Sequence, residues 1–181
     1  MECVPTPLAG LVAFQQAAYS DARGTFSELW RQDHARIAGL PHSFVQDNVS
    51  WSQRGVLRGL HFQKPAAQGK LVRVLQGAVY DVAVDLRKNS PTFGKWYGLE
   101  LSGTNHMQIY VPEGFAHGFQ ALTDGTIVLY KCTALYRPSA EHALRFDDPR
   151  LGIRWPIDDP VVSEKDRAGR LLAEVPTDWT F

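Results

Sequence analysis

Turn-forming residues recur at a regular spacing between Phe44 and Tyr136, and this spacing limits the folds that the chain can adopt. Gly, Pro, Asn and Ser interrupt segments rich in Val, Leu, Tyr, Trp and Phe roughly every eight to twelve residues. Short strands at this spacing are typical of a β-sandwich or a β-barrel. We therefore predict an all-β fold. The clearest predicted strands are residues 71–75, 78–85, 96–101, 107–111, 119–121 and 127–135.

The segments outside this β-rich region are short and add no second domain. The chain has 181 residues, contains no internal repeat or biased linker, and is predicted to form one domain spanning residues 1–181. We predict a short turn at 33–38 and a helix that begins after Ser163, whose side chain is a good N-cap. Prolines and a glycine between residues 147 and 160 predict an ordered but irregular C-terminal strap.

The charge balance argues against two broad classes of partner. Nineteen Lys and Arg residues balance nineteen Asp and Glu residues, which gives no global attraction to nucleic acid or to an anionic membrane. The start of the chain lacks a basic segment followed by an apolar stretch, and no apolar run approaches membrane-spanning length. We expect a soluble cytoplasmic protein in which Cys3 and Cys132 stay reduced. Any anionic ligand must then be held by a local cluster.

Sequence motifs for several common activities are missing. The chain has no phosphate-binding glycine loop, no dinucleotide fingerprint, no CxxC, no HExxH and no GxSxG. Hydride transfer, phosphate-loop nucleotide hydrolysis and serine acyl transfer therefore lose their usual sequence support.

Four residues have the spacing of a metal site, but two of them are poor metal ligands. Residues 55–63, a later lysine and residues 112–117 resemble the two cupin motifs, in which a His-x-His pair, a Glu and a final His converge on one metal. An ammonium repels a divalent cation and has no lone pair. We infer a site for organic acid/base chemistry without a metal. The four positions are His61, Gln63, Lys70 and His117.

Two candidate acid/base side chains lie on predicted strands. Strand alternation places His61 and Gln63 on one face, where the small Gly59 leaves room for a cavity. Tyr130 lies in an apolar strand, where an isolated Tyr is more often a core aromatic. An ammonium from Lys70 beside Tyr130 would make the phenol a better proton donor. The competing interpretation leaves Lys70 as a solvated residue at a strand end.

Polar residues in the first third of the chain offer groups for an anionic, sugar-bearing ligand. The guanidinium groups of Arg23 and Arg58 have the fork geometry that suits a diphosphate. Side chains of Glu28, Gln46 and Asn48 can hydrogen-bond a base or a sugar. Each of these residues taken alone is more often an ordinary surface residue.

Long runs of sequence match one known family over nearly the whole chain. The runs are residues 23–28, 46–48, 55–63, 68–74, 81–87, 90–94, 114–119, 148–149, 153–156 and 163–166. Through them the chain resembles the dTDP-4-dehydrorhamnose 3,5-epimerase family, whose members are cupin-type jelly rolls, usually dimers, that use neither a metal nor an organic cofactor. The resemblance implies a homodimer that binds a small nucleotide sugar and inverts C3 and C5 of dTDP-4-dehydro-6-deoxy-D-glucose.

The resemblance also implies catalytic roles. The C4 ketone acidifies the protons at C3 and C5, so the reaction needs a base, an acid and a group that stabilises the enolate. His61 would remove a proton, Tyr130 would return one from the opposite face, and Lys70 would stabilise the enolate oxygen. Asp166 would orient His61. Substrate contacts are implied for Arg23, Phe26, Glu28, Gln46, Asn48, Arg58, His117, Glu141 and Lys165, the first two from the neighbouring subunit.

Three alternatives remain open from the sequence. A relative that inverts only C3 or only C5 would share the catalytic pair, and a ketoisomerase on the same fold would move the carbonyl from C4 to C3. A non-catalytic cupin would bind the nucleotide sugar without turning it over. Binding alone, however, does not require a base and an acid in one cavity.

Overall fold

Two β-sheets form the body of the structure, a computed structural model that describes residues 2–33, 39–40 and 43–181. The strands are β1 (Glu2–Val4), β2 (Val12–Gln15), β3 (Ala18–Asp21), β4 (Gly24–Ser27), β5 (Gln46–Ser52), β6 (Val56–Gln63), β7 (Lys70–Gln76), β8 (Ala78–Asp85), β9 (Trp96–Ser102), β10 (Met107–Val111), β11 (Phe115–Ala121), β12 (Thr126–Cys132), β13 (Glu141–Ala143) and β14 (Val161–Val162). Sheet 1 has the order β1-β2-β10-β7-β12-β5. Sheet 2 has the order β13-β6-β11-β8-β9, with β14 beside β6, and β3 and β4 form a separate hairpin.

The chain passes repeatedly from one sheet to the other, as in a jelly roll. Strands β6, β7 and β8 follow one another along the chain but lie in sheet 2, sheet 1 and sheet 2. The pairings within both sheets are antiparallel except that of β14 with β6. The predicted all-β fold is confirmed, and β8 and β10 have the predicted bounds. Strand β12, in contrast, ends at Cys132 and does not continue to Leu135.

Apolar side chains from both sheets meet in the space between them. Val72 and Val74 of β7 pack in one cluster with Val79 and Ala83 of β8, and all four are 0% exposed. Full burial of an aliphatic side chain contributes roughly 1.5–3 kcal/mol. This packing makes the strands a rigid frame for the polar side chains at one part of the interior.

The predicted C-terminal strap is ordered and covers the outer face of sheet 2. Trp155 of the strap packs in one cluster with Phe62 and Leu86, together with Trp179 and Phe181 from the end of the chain. The indole N–H of Trp155 donates to the backbone carbonyl oxygen of Phe146 at 2.9 Å. Because the strap covers this face, the middle of sheet 2 is buried on both sides.

Within the described residues, helical structure is limited to short pieces. Helix α1 (Glu164–Arg167) begins after Ser163 as predicted, and the Ser163 hydroxyl caps it. The turn predicted at 33–38 lies, apart from Asp33, outside the described residues. Within the described part of the chain, no helix has the length and apolar character needed to cross a membrane. Both cysteines are free thiols, one exposed and one buried.

Asp85, the last residue of β8, contributes to stability through hydrogen bonds to the turn that follows this strand. Its buried carboxylate accepts hydrogen bonds from the side chains of Arg87, Ser90 and Thr92. Burial raises the pKa of Asp85, but these hydrogen bonds outweigh burial and lower the pKa to about 2. We expect Asp85→Asn to lower the free energy of unfolding by about 2 kcal/mol at neutral pH, as measured by urea denaturation.

The pH dependence of this loss follows from the direction of the pKa shift. Because the folded-state pKa lies below the unfolded value of about 3.9, the stabilisation is complete above that value and is lost as the pH falls through 2. The difference between the wild-type protein and Asp85→Asn should therefore shrink steadily below about pH 4. A difference that is the same at pH 7 and at the lowest pH that permits folding would contradict this account.

Candidate active site

A cavity of about 550 Å³ lies between the two sheets, a size suited to a small-molecule ligand. Sheet 1 contributes side chains from β5, β7 and β12, and sheet 2 contributes side chains from β6 and β11. Residues near α1 and β13 complete the wall. The cavity is lined by Gln46, Asn48, Ser50, Val56, Leu57, Arg58, His61, Gln68, Lys70, His117, Gly118, Phe119, Tyr130, Tyr136, Glu141, Ser163, Lys165 and Asp166.

An irregularity in β6 decides which of its side chains reach the cavity. His117 of β11 pairs with His61, whereas Phe119 pairs with Arg58, so β6 has one extra residue at this point. Arg58 and His61 therefore both line the cavity although they are three residues apart. Alternation holds for Leu60, His61 and Phe62, but the bulge prevents it from extending back to Arg58. Gly59 is needed at the bulge, since a Cβ there would lie 2.6 Å from the Cα of Gly118.

His61 is held by a buried carboxylate on its far side. Its Nε2 lies 2.6 Å from Oδ1 of Asp166, which is 3% exposed. Burial raises the pKa of Asp166, but hydrogen bonds from His61, the Gly59 amide and Ser163 outweigh this and lower it. A carboxylate only accepts, so in the neutral imidazole Nε2 carries the proton and Nδ1 has the lone pair. His61 is thereby prepared to act as a base.

A second histidine lies beside the first on the neighbouring strand and is held in a similar way. His117 is the direct cross-strand partner of His61. Its Nε2 lies 2.9 Å and 3.0 Å from the two carboxylate oxygens of Asp81, which is 0% exposed. The ring of His117 therefore has a fixed orientation in the cavity wall.

Lys70 lies in the cavity and not at a solvated strand end. Its ammonium is 3.5 Å from the backbone carbonyl oxygen of His61. Burial lowers the pKa of Lys70, and the nearby Cys132, Glu141 and Asp81 oppose that effect. Among the described residues, no group of three or more His, Cys, Asp or Glu side chains is placed to hold a metal ion. Lys70 thus supplies a buried donor at the position where the cupin motif has a ligand.

Tyr130 faces His61 from the opposite sheet. It lies on β12, which belongs to sheet 1, whereas His61 lies on β6 of sheet 2, and both side chains line the cavity. The expectation that an ammonium makes its phenol more acidic is wrong, because burial raises the pKa of Tyr130 and outweighs the opposing charge of Arg58. The phenol therefore stays protonated at neutral pH and can donate a proton.

The structure divides the predicted substrate contacts into two groups. Six of them line the cavity: Gln46, Asn48, Arg58, His117, Glu141 and Lys165. The other three, Arg23, Phe26 and Glu28, do not line it. Arg23 and Phe26 belong to the exposed β3–β4 segment, where the Arg23 side chain is 90% exposed and pairs with Asp21 at 2.6 Å.

Sequence reasoning missed several polar groups in the cavity wall, among them Tyr136. The hydroxyl of Tyr136 donates to Oε2 of Glu141 at 2.6 Å, and Lys165 also binds this carboxylate. Burial raises the pKa of Glu141, but the hydrogen bonds from Lys165 and Tyr136 outweigh burial, so the pKa is lowered overall and the carboxylate stays charged. Tyr136 lies beyond the end of β12, so strand periodicity could not have placed it.

Comparisons with known proteins agree in both sequence and structure. A family model described as dTDP-4-dehydrorhamnose 3,5-epimerase matches residues 5–174. The dTDP-4-dehydrorhamnose 3,5-epimerase of Methanothermobacter thermautotrophicus is 51% identical over 176 residues, which is 96% of this chain and 95% of the relative. The corresponding enzyme of Pseudomonas aeruginosa is 48% identical over 96% of this chain and 97% of its own length.

Solved structures give the same picture. A 3,5-epimerase from Legionella pneumophila in complex with dTDP-4-keto-L-rhamnose superposes with a TM-score of 0.95 at 44% identity, covering 99% of this chain and 96% of that one. A 3'-monoepimerase from Streptomyces bikiniensis in complex with dTDP-quinovose has a TM-score of 0.89 at 36% identity, covering 96% of this chain and 88% of that one. The fold is therefore shared by single and double epimerases.

Proposed function

The chain belongs to the dTDP-4-dehydrorhamnose 3,5-epimerase family, and we propose that its cavity converts dTDP-4-dehydro-6-deoxy-D-glucose into dTDP-4-dehydro-L-rhamnose. The enzyme is an isomerase that acts on a carbohydrate. The observation that carries the proposal is the placement of His61 and Tyr130 on opposite sheets, facing one cavity. Inversion of a carbon needs a base on one face and an acid on the other, and this arrangement supplies both.

The first step is removal of a proton next to the C4 ketone. Nδ1 of His61 takes the proton from C3 or C5, and the electron pair of the broken C–H bond passes to the C4 oxygen as an enolate. Asp166 stays ionised and stabilises the imidazolium that forms, because its carboxylate lies 2.6 Å from the other ring nitrogen. Orientation and charge balance therefore come from the same carboxylate.

The enolate oxygen needs a donor that is already in place. Lys70 is buried in the cavity wall, where an ammonium interacts with a developing oxyanion more strongly than it would in water. Tyr130 then donates its phenolic proton to the carbon from the opposite face, which inverts the configuration. Proton exchange with solvent then restores the neutral imidazole of His61 and the phenol of Tyr130, and the same cycle at the second carbon completes the double epimerisation.

The nucleotide end of the substrate requires cations and hydrogen-bond donors. Arg58 is fixed by hydrogen bonds to the Ser52 hydroxyl and to the Trp51 carbonyl oxygen, at 3.1 Å and 3.2 Å. This leaves its guanidinium oriented for a diphosphate, which its fork geometry matches. Amide side chains of Gln46 and Asn48 on β5 are available for the sugar or the base.

A homodimer would account for the predicted contacts that lie outside this cavity. Tyr19 and Phe26 are cross-strand partners on the β3–β4 hairpin, 67% and 70% exposed, and Trp51 on the edge strand β5 is 67% exposed. Large exposed aromatic side chains and an open strand edge are features that association covers. We propose that the hairpin docks on a second copy of this chain and that Arg23 and Phe26 complete that copy's site. We also propose that the protein acts in the cytoplasm, as expected from its sequence.

Subunit mixing distinguishes contacts made in trans from contacts made within one protomer. We expect Arg23→Ala and His61→Asn to be inactive or nearly inactive as separate homodimers. After unfolding and refolding together in equal amounts, half of the dimers combine both variants, and each of these has one intact site. Activity should recover to about a quarter of the wild-type value if Arg23 acts in trans. No recovery, with mixed dimers shown by mass spectrometry, would place Arg23 in its own protomer's site.

Product identity tests the proposed reaction against its alternatives. The chelator-treated protein is incubated with dTDP-4-keto-6-deoxyglucose, and the ring couplings of the product are read by NMR. Inversion at both carbons supports the proposal. Inversion at one carbon indicates a mono-epimerase, which the similarity to the Streptomyces bikiniensis enzyme keeps in consideration. A ketone moved to C3, or binding of dTDP without turnover, would refute the proposed reaction.

A further inference from the structure

Gln63, the last residue of β6, is engaged by two loops at the rim of the cavity. Its Nε2 donates to the backbone carbonyl oxygens of Ala66 at 2.8 Å and of Leu135 at 3.3 Å. Its Oε1 accepts from the backbone N–H of Arg137 at 2.7 Å. The side chain is 3% exposed, and all three partners are backbone groups. Gln63 therefore fixes the course of the chain on both sides of the rim.

Residues 133–137, here called the rim loop, bond to glutamine side chains at every position after Thr133, which bonds to Gly69 and Glu113. Gln68 donates to the carbonyl oxygen of Ala134 at 2.7 Å, and Gln46 accepts from the N–H of Tyr136 at 2.8 Å. With the two bonds from Gln63, each of the residues 134–137 has a backbone group bound to a glutamine side chain. A segment held in this way depends on those side chains for its position.

The rim loop carries Tyr136 into the cavity wall beside the reacting groups. The Tyr136 hydroxyl donates to Glu141 at 2.6 Å, and Glu141 is the direct strand partner of Gln63 in the β13–β6 pairing. The charge of Glu141 interacts with His61, and Tyr136 interacts electrostatically with Tyr130. The pair formed by Tyr136 and Glu141 thus stands near both the proposed base and the proposed acid.

We propose that Gln63 is a positioning residue that holds the rim loop so that Tyr136, anchored on Glu141, forms the cavity wall against the sugar ring. This inference rests on the proposed function and deepens it. The same base and acid must act on C3 and then on C5, so the ring has to be held in two defined orientations. Without the Gln63 amide, two carbonyl oxygens and one N–H lose their partner and the rim loop is no longer fixed. The wall against the sugar then loses its defined position.

The first variant is Gln63→Met, which keeps the length and volume of the side chain but removes all three hydrogen bonds. We expect kcat/KM for the ketosugar to fall by about tenfold or more, with the larger part of the loss in kcat. The matched control is Gln120→Met. Gln120 is 0% exposed and exchanges two hydrogen bonds with the backbone of Ile157, at 2.8 Å and 2.9 Å, yet it does not line the cavity. The melting temperature of Gln120→Met should fall by about as much as that of Gln63→Met, while kcat/KM of Gln120→Met stays within about twofold of the wild-type value.

A double-mutant cycle with Tyr136→Phe separates positioning from a purely structural role. If Gln63 acts through the Tyr136 hydroxyl, Gln63→Met should cost little further activity once that hydroxyl is gone. Losses that multiply would overturn the inference, and so would a Gln63→Met variant as active as the wild-type protein. If Gln63→Met fails to fold, Gln63→Glu, which keeps the acceptor for Arg137, enters the same cycle with the same criterion. The proposed function fails separately, if the wild-type protein itself does not epimerise the ketosugar.

Discussion

Replacement of His61 by Asn should lower kcat by about 10²–10⁴-fold, because the reaction then lacks the base that removes the proton. Asparagine is close in size to the imidazole and can still hydrogen-bond Asp166, so binding of dTDP should be retained. The same variant should also lose hydrogen exchange with solvent at both C3 and C5. Both effects follow from one residue because, in the proposed reaction, His61 is the base for both carbons that flank the ketone.

His106→Asn is a suitable control for this substitution. His106 lies outside the cavity, contacts Arg73 and has a φ of 54°, a conformation that asparagine tolerates better than most residues. We expect its activity to stay within about twofold of the wild-type value. Turnover by His61→Asn at a tenth of the wild-type rate or more would remove His61 from the role of base.

Replacement of Lys70 by Met should lower kcat by about 10²–10³-fold with little change in the affinity for dTDP. The ammonium is needed only when negative charge develops on the C4 oxygen, so the loss should appear in the chemical step and not in binding. Steady-state kinetics give the first quantity, and titration calorimetry with dTDP gives the second. An equal loss in both would indicate that Lys70 binds the substrate in its ground state.

The loss of activity in Lys70→Met should not be accompanied by a loss of stability. Burial lowers the pKa of Lys70, which means that the charged form is less favourable in the folded protein than in water. Methionine removes that cost, so the melting temperature should be unchanged or higher. Lys88→Met, at an exposed position, is the control for the loss of one charge and should affect neither property. A destabilised Lys70→Met would point to a structural role for this ammonium.

Sequence pattern predicted the strands that depend on local signals and missed features that depend on contacts across the fold. Strands β8 and β10 are bounded by turn residues and have the predicted bounds. The predicted extension of β12 to Leu135 is wrong because the rim loop bonds to glutamine side chains from β5, β6 and the segment before β7. Those partners lie from 66 to 90 residues away along the chain. A local pattern contains no information on such contacts.

In the cavity, the types of the functional residues could be predicted from the sequence, but their arrangement could not. The histidine, lysine and tyrosine that line it could be selected from the sequence by their chemistry and by the family resemblance. The bulge at Gly59 brings Arg58 and His61 to the same wall of the cavity. It depends on the register with β11, so alternation along β6 alone does not predict the position of Arg58. The raised pKa of Tyr130 likewise depends on burial, which the sequence does not specify. The position of Tyr136, and the hydrogen bonds that glutamine side chains make to the rim loop, could be seen only in the folded chain.

Solvent exchange at the two carbons tests the central claim most directly. The chelator-treated wild-type protein is incubated with dTDP-4-keto-6-deoxyglucose in deuterated water, and C3 and C5 are followed by NMR. The account predicts deuterium at both carbons, the L-lyxo ketosugar as the product, and loss of this inverted product in Tyr130→Phe. Deuterium at one carbon only, or at neither, would contradict a cavity in which one base and one acid act in turn on both sides of the ketone.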